Sequence, residues 1–146
     1  MAAEAGSLVG LTIWGESRGE SVEGKIAVGN VLRNRVRLGR FGGDTYQAVC
    51  LAKAQFSCWN AGDPNAALLI SLSKQLLVNP IPTDPVLREC LYIAAGLVAG
   101  EFQDNTKGAT HYVHRRLLGD GKGWDEQMRV TGMIGNHVFL SDQKGA

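Results

Sequence analysis

The sequence has no apolar run approaching the ~18 residues of a membrane span, so no helix is expected to insert into a bilayer. It also lacks a surplus of charge. Fifteen basic side chains stand against fourteen acidic ones, net +1, and nothing in that balance attracts a polyanion; nucleic acid is not an expected partner. Cysteine is scarce: three residues, an odd number without C-x-x-C spacing, make no disulfide framework and fit a reducing compartment. The opening MAAEAGSLVG has Glu4 where a signal peptide carries Lys or Arg, and no apolar h-region follows, so the chain is expected to be made in the cytosol without an export signal. Internal repeats, low-complexity tracts and linkers are absent as well.

What is present is a foldable chain. With 45% hydrophobic and 20% charged residues it is not disordered, and its 146 residues fit one domain. A chain of this size buries roughly 68–70% of its unfolded surface and needs neither disulfide nor structural metal. Nineteen glycines fall mostly between periodic apolar segments, as in short helices joined by tight turns. Leu8, Leu11, Ile13 and Trp14 predict a first helix ending near Gly15 to Gly19. Ser21 reads as the N-cap of a second, carrying Ile26, Val28, Val31, Leu32 and Val36 and stopping at Gly39. Asp44 or Thr45 caps a short helix through Tyr46, Val49 and Leu51. Asp63-Pro64 and Asp84-Pro85 each place a capping carboxylate before a first-turn proline and open two further helices. Beyond residue 103, Thr110 to His114 and Asn136 to Leu140 are short β-prone runs among glycines, predicting a small hairpin or two short strands. The fold class is α+β, predominantly helical, with an irregular C-terminal third.

Trp14-Gly15-Glu16-Ser17-Arg18-Gly19-Glu20 is the densest polar constellation, and it closes an apolar helix. Were the helix to continue, Glu16 and Glu20 would share a side at i and i+4, where like charges repel. Two acids close together and desolvated by Trp14 can hold split pKa values, leaving one protonated as a general acid, which glycosidic cleavage requires. A structural role fits the same spacing, with Glu20 accepting from the start of the second helix and Glu16 pairing with Arg18. Gln55, Ser57, Trp59 and Asn60 combine an aromatic face with amide and hydroxyl groups, which suits sugars, and Trp124 offers a second platform. Alternatively Phe56 and Trp59 are core residues under a loop.

His111, His114 and His137, with Cys58, raise the question of a metal. In a strand, H-x-x-H spacing sends the two imidazoles to opposite faces, which is poor geometry for one zinc; no metal and no cofactor is expected. Cys50, Cys58 and Cys90 read as buried thiols. Lys25, Arg33, Arg35, Arg37 and Arg40 read as a solvated helix face.

Three blocks together resemble the cell-wall hydrolase family typified by the spore cortex-lytic enzyme SleB, which includes many phage endolysins. They are Trp14 to Glu20 with Gly24-Lys25-Ile26-Ala27-Val28 and Asn34-Arg35-Val36; Gln55-Phe56-Ser57-Cys58-Trp59; and Gly108-Ala109-Thr110-His111-Tyr112, leading to Trp124 and Ile134-Gly135-Asn136-His137-Val138-Phe139. The resemblance implies a lysozyme-like fold related to lytic transglycosylases, with residues 1–146 as a single catalytic domain. It implies peptidoglycan as substrate and cleavage between N-acetylmuramic acid and N-acetylglucosamine. By motif position the catalytic acid falls on Glu16 and a supporting acid on Glu20, while the third block adds His111 and Tyr112 to Gln55, Ser57, Trp59 and Trp124 as substrate-binding residues. Ser17, Ser21, Gly123 and Leu140 depart from the family pattern, Leu140 at a position assigned to the cleft wall. A monomer stored in the host cytoplasm and acting on the wall after release is the implied setting.

A single acid fits a lytic transglycosylase, in which the muramyl 6-hydroxyl closes a 1,6-anhydro ring. A hydrolytic muramidase needs a second carboxylate about 5–10 Å away, for which Asp44, Asp63 and Glu20 are the offers. A zinc-dependent amidase using His111, His137 and Cys58, and a non-catalytic glycan-binding module using Trp59 and Trp124, are the rivals from other classes.

Overall fold

Helix α1 (Ala2–Ser17) is buried on every side over one and a half turns: Val9, Gly10, Leu11, Thr12, Ile13 and Trp14 are all inaccessible or nearly so. A helix with no polar face lies at the centre of a fold. In the computed structural model, which describes residues 2–53, 55–119 and 127–143, four helices pack around it: α2 (Val22–Leu38), α3 (Tyr46–Leu51), α4 (Pro64–Val78) and α5 (Pro85–Val98). Helix α5 crosses closest, and Gly10 is the reason. A Cβ there would stand 2.6 Å from Cδ2 of Leu91 and 3.0 Å from its Cα. The core so formed includes Leu11, Ile13, Leu32, Val49, Phe56, Leu69, Leu87 and Leu97.

The starts of α2, α3, α4 and α5 are fixed by side chains expected to cap them. Ser21 Oγ accepts from Gly24 N (3.2 Å), Thr45 Oγ1 from Ala48 N (3.1 Å), Asp63 from Asn65 N (2.8 Å) and Asp84 from Val86 N (2.8 Å). Such caps stabilise a helix by about 1 kcal/mol each, and here they separate consecutive helices with short connections. Gly39 ends α2 in the left-handed region at φ 72. The three cysteines are buried and free, their thiols pushed up by burial, to about 12 for Cys50 and Cys90.

Among the described residues the C-terminal third holds three strands, one more than the sequence predicts. Strands β1 (His111–His114), β2 (Arg129–Ile134) and β3 (His137–Ser141) form an antiparallel sheet in the order β1-β3-β2. The unforeseen strand, β2, lies at an edge, contains Gly132 and is interrupted by a bulge between Val130 and Gly132, so its sequence shows no clean alternation. Register puts Tyr112 opposite Phe139 and His114 opposite His137. Phe139 packs with Ala27 and Val31 of α2, with Tyr112 and Ile134 alongside, so this face meets the helices. Val113, Val138 and Leu140 form the other face with Met128. Leu140 is fully buried there and is no part of a wall beside Tyr112.

Lys25, Arg33 and Arg35 of α2 correct the reading of a solvated basic face, whereas Arg37 and Arg40 are exposed as expected. Lys25 is 6% and Arg35 5% exposed, and Arg33 is half-buried. These three hold other segments rather than solvent. Lys25 pairs with Glu89 of α5 at 2.7 Å. Arg33 donates to Phe102 O (2.8 Å), Asn30 to Gln103 O (3.2 Å), and Asn34 to both Asp104 Oδ2 and Ala109 O (2.9 Å each). Burial works against the charge of Asp104, but bonds from Thr106, Asn34 and Gly108 outweigh it and hold the carboxyl below its ordinary range. The loop that delivers β1 is therefore tied to α2 by polar contacts.

Candidate active site

Helix α1 does not run on through Glu20. It ends at Ser17, whose hydroxyl turns back to Ile13 O at 2.8 Å, and Glu20 N closes a turn onto Ser17 O at 2.9 Å. The two acids consequently diverge to different parts of the chain. Glu16, half-buried in the last turn, receives the Tyr112 hydroxyl at Oε1, and at Oε2 the Cys58 N–H (3.2 Å) and the Ser57 hydroxyl (3.4 Å). Glu20 Oε1 accepts from Asn136 N (2.9 Å) and Oε2 from Asn136 Nδ2 (3.0 Å), across 116 residues of chain. Neither part of the local structural alternative is observed: Glu20 does not cap α2, and Arg18 lies over the Trp14 ring (4.3 Å) and donates to Asn65 (2.9 Å) instead of Glu16.

The donors reach Glu16 because of a missing side chain. Cys58 belongs to a 3₁₀ turn, Ser57–Trp59, pressed against α1 at Gly15, where a Cβ would stand 2.8 Å from Cys58 Cβ and 2.9 Å from its Sγ. Trp59 anchors the turn: its indole N–H donates to Thr12 Oγ1 at 2.8 Å, and its half-buried ring packs against the core. It is held from beneath and does not stand as a free platform. Gln55 is exposed, its amide oxygen accepting from Arg35 Nη1 at 3.1 Å. Trp124 lies outside the described residues.

On the sheet, Tyr112, His114, His137 and Phe139 share the face toward Glu16 and Glu20. The ring centroids of Tyr112 and His137 are 5.0 Å apart, and His137 Nδ1 is 3.9 Å from Glu20 Oε1. Burial pushes the Tyr112 phenol well above its ordinary value, and the Glu16 carboxylate adds to this. Burial likewise holds His137 below its usual value, although both carboxylates pull it upward. Glu20 is held low: burial opposes its charge, but the Asn136 bonds and the nearby His137 and His114 prevail.

His111 stands apart from this group. Strand alternation turns it away from Tyr112, against the edge of Phe41 (5.7 Å) and within 2.9 Å of Thr110 Oγ1, so it does not join Tyr112 at Glu16. Burial, with Arg35 adding to it, pushes its imidazole down to about 4. The opposite orientation of His111 and His114 is the one expected of H-x-x-H in a strand. Among the described residues no group of three or more His, Cys, Asp or Glu is arranged to hold a metal.

Of the offered second carboxylates, Glu20 and Asp63 are committed to backbone N–H groups, Asp63 as the cap of α4. Asp44 lines a groove with Ala5, Ser7 and Leu8, at the far end of α1 from Glu16; eleven residues of helix span roughly 16 Å. Among the described residues, what remains at Glu16 is one carboxyl with a hydroxyl on each oxygen. Both Tyr112 and Ser57 can donate to a carboxylate or turn to accept from a carboxylic acid, so the site accommodates Glu16 in either protonation state. Sequence reasoning assigned no role to Asn136 or to the buried guanidinium of Arg35; the first shows only as the start of a β-prone run, the second only as one charge among several.

Residues 19–140 match the family model described as Cell Wall Hydrolase. No curated protein matches the chain in sequence. Two solved structures share the fold: the catalytic domain of the germination-specific lytic transglycosylase SleB from Bacillus anthracis, at 22% identity, TM-score 0.66 and 94% coverage of both chains, and the catalytic domain of the Bacillus cereus SleB protein, at 21% identity, TM-score 0.61 and coverage of 94% and 90%. With the family match extending from the α1–α2 turn to the end of the sheet, the chain belongs to the cell wall hydrolase family.

Proposed function

We propose that the chain cleaves the glycan strand of peptidoglycan between N-acetylmuramic acid and N-acetylglucosamine as a lytic transglycosylase. The observation that carries this is Glu16, a single carboxyl with reversible hydroxyl partners on both oxygens and none of the offered second carboxylates free to act beside it. Glu16 as the acid donates its proton to the glycosidic oxygen while the bond from that oxygen to the muramyl C1 breaks. The muramyl 6-oxygen bonds to C1, and its proton passes to the Glu16 carboxylate, which is thereby restored to the acid. No water is consumed. Gln55, Ser57, Trp59 and Tyr112 are the proposed substrate contacts in this single catalytic domain, whose structural neighbours are named as a lytic transglycosylase and as SleB. With the reading goes the setting implied by resemblance, a monomeric endolysin stored in the host cytoplasm and acting on the wall after release.

Mass spectrometry of digested peptidoglycan tests the chemistry. The expected fragments end in 1,6-anhydromuramic acid, lighter than the hydrolytic fragments by one molecule of water and inert to borohydride. Borohydride-reducible muramic ends would instead make water the nucleophile and require a second carboxylate.

A further inference from the structure

Arg35 is a cation inside the protein. It is 5% exposed, and its guanidinium lies between two rings, 4.8 Å from the centre of Phe41 and 5.1 Å from that of Phe56. Nε donates to the Thr110 carbonyl at 2.7 Å and Nη1 to Gln55 Oε1 at 3.1 Å. Thr110 precedes Tyr112 by two residues, and Gln55 precedes Ser57 by two and Cys58 by three. Each arm of the fork thus ends just upstream of a group that hydrogen-bonds Glu16, on two segments far apart in sequence. Burial disfavours the charge, and the Asp142 and Glu16 carboxylates offset it.

We propose that Arg35 is a positioning residue: by fixing Gln55 and Thr110 to one planar group it sets the separation between the Ser57–Cys58 donors and the Tyr112 hydroxyl, and so the direction in which Glu16 presents its proton. The proposal rests on Glu16 as the general acid. A guanidinium suits this task and an ammonium does not, because the rigid fork addresses two acceptors while its flat faces fill the space between two rings. Loss of the fork leaves Glu16 in place with its donors out of register, and a displacement near 1 Å at a catalytic group costs about 10²-fold in rate.

The test measures kcat and KM on soluble glycan fragments of peptidoglycan for Arg35→Lys, Arg35→Ala, Glu16→Gln and Lys25→Met, each below its own thermal midpoint. Lys25→Met is the control for disturbing α2, since it breaks the 2.7 Å pair between buried Lys25 and half-buried Glu89. Arg35→Lys is expected to lose about 10²-fold in kcat with KM within about twofold of the native value. Added guanidinium ion is expected to raise kcat of Arg35→Ala and of no other variant, while Lys25→Met keeps its kcat despite a lower midpoint. A folded Arg35→Lys with native kcat overturns the proposal. So does a loss confined to KM, a comparable kcat loss in Lys25→Met, or guanidinium that raises the midpoint of Arg35→Ala without raising kcat. An inactive Glu16→Gln beside an unimpaired Arg35→Lys removes only the positioning role, whereas an active Glu16→Gln removes the acid assignment on which it rests.

Discussion

Glu16 and Glu20 are the same residue type, four positions apart, and the protein surrounds them with opposite chemistry. Glu20 is met by amides: the Asn136 backbone N–H, which can only donate, and its side-chain amide. Its carboxylate clamps the two-residue turn between β2 and β3, close enough that a Cβ at Gly135 would stand 2.6 Å from Oε1. Glu16 is met by hydroxyls at both oxygens, with the Cys58 backbone N–H beside Ser57 on Oε2. Donors that cannot reverse hold a carboxylate ionised; donors that can reverse leave it able to give and take a proton. Partner type therefore separates a structural acid from a chemical one where residue type and spacing do not.

The sharpest way to break this comparison is to remove the proton from each acid in turn. Glu16→Gln is expected to abolish lysis of a peptidoglycan suspension, a general acid contributing about 10²–10⁴-fold, with the circular dichroism spectrum unchanged. Retention of more than about a tenth of the native rate would remove the distinction between the two acids. Tyr112→Phe keeps the ring between His137 and Phe139 and deletes the hydroxyl on Oε1; a bond to a charged group contributes about 1.5–3 kcal/mol, so a fall of about 10–10²-fold in rate is expected. A native rate in that variant would show that the hydroxyl is incidental.

Glu20→Gln is expected to act on stability instead, costing about 1 kcal/mol in chemical denaturation and leaving the 1,6-anhydro product unchanged. The sign of its pH dependence follows from a folded-state pKa below the ordinary 4.5. The contribution of Glu20 is complete above the unfolded value and is lost as the pH falls through the lowered one, so the variant should show a flatter decline of stability in acid. Altered product chemistry in Glu20→Gln would return Glu20 to the catalytic machinery. The smallest effect is expected from Ser57→Ala: the bond to Glu16 is long, 3.4 Å, and the neighbouring Cys58 N–H remains on the same oxygen, so a rate change of about twofold to fivefold in a turbidity assay is anticipated.

The parts of this molecule legible in sequence are those decided within a few residues. Ser21, Thr45, Asp63-Pro64 and Asp84-Pro85 cap the helices they precede because a cap is a local bond, and Glu16 stands out because its polar run closes an apolar helix. What was hidden depends on distant partners. The role of Glu20 needs Asn136, the role of Arg35 needs Gln55 and Thr110, and helical periodicity marks a buried guanidinium as solvated because it counts charge without seeing what covers it. Strand β2 was hidden for another reason: Gly132 reads as a separator, and the bulge beside it breaks the alternation by which a strand is recognised.

Gly15 carries a consequence for how such chains can change over time. The contact between α1 and the Ser57–Trp59 turn has room for one β-carbon, and Cys58 supplies it. A chain that acquires alanine at the position before the acid must shed bulk at the position of Cys58 or let the turn retreat, and retreat carries the Cys58 N–H away from Glu16. Substitutions at these two places are therefore coupled, and the permitted order is to lose the side chain of the turn before gaining one on the helix. In an alignment of chains that keep an acid at this helix end, the two positions should covary in volume, with their sum nearly constant and the helix position small wherever the turn position is not.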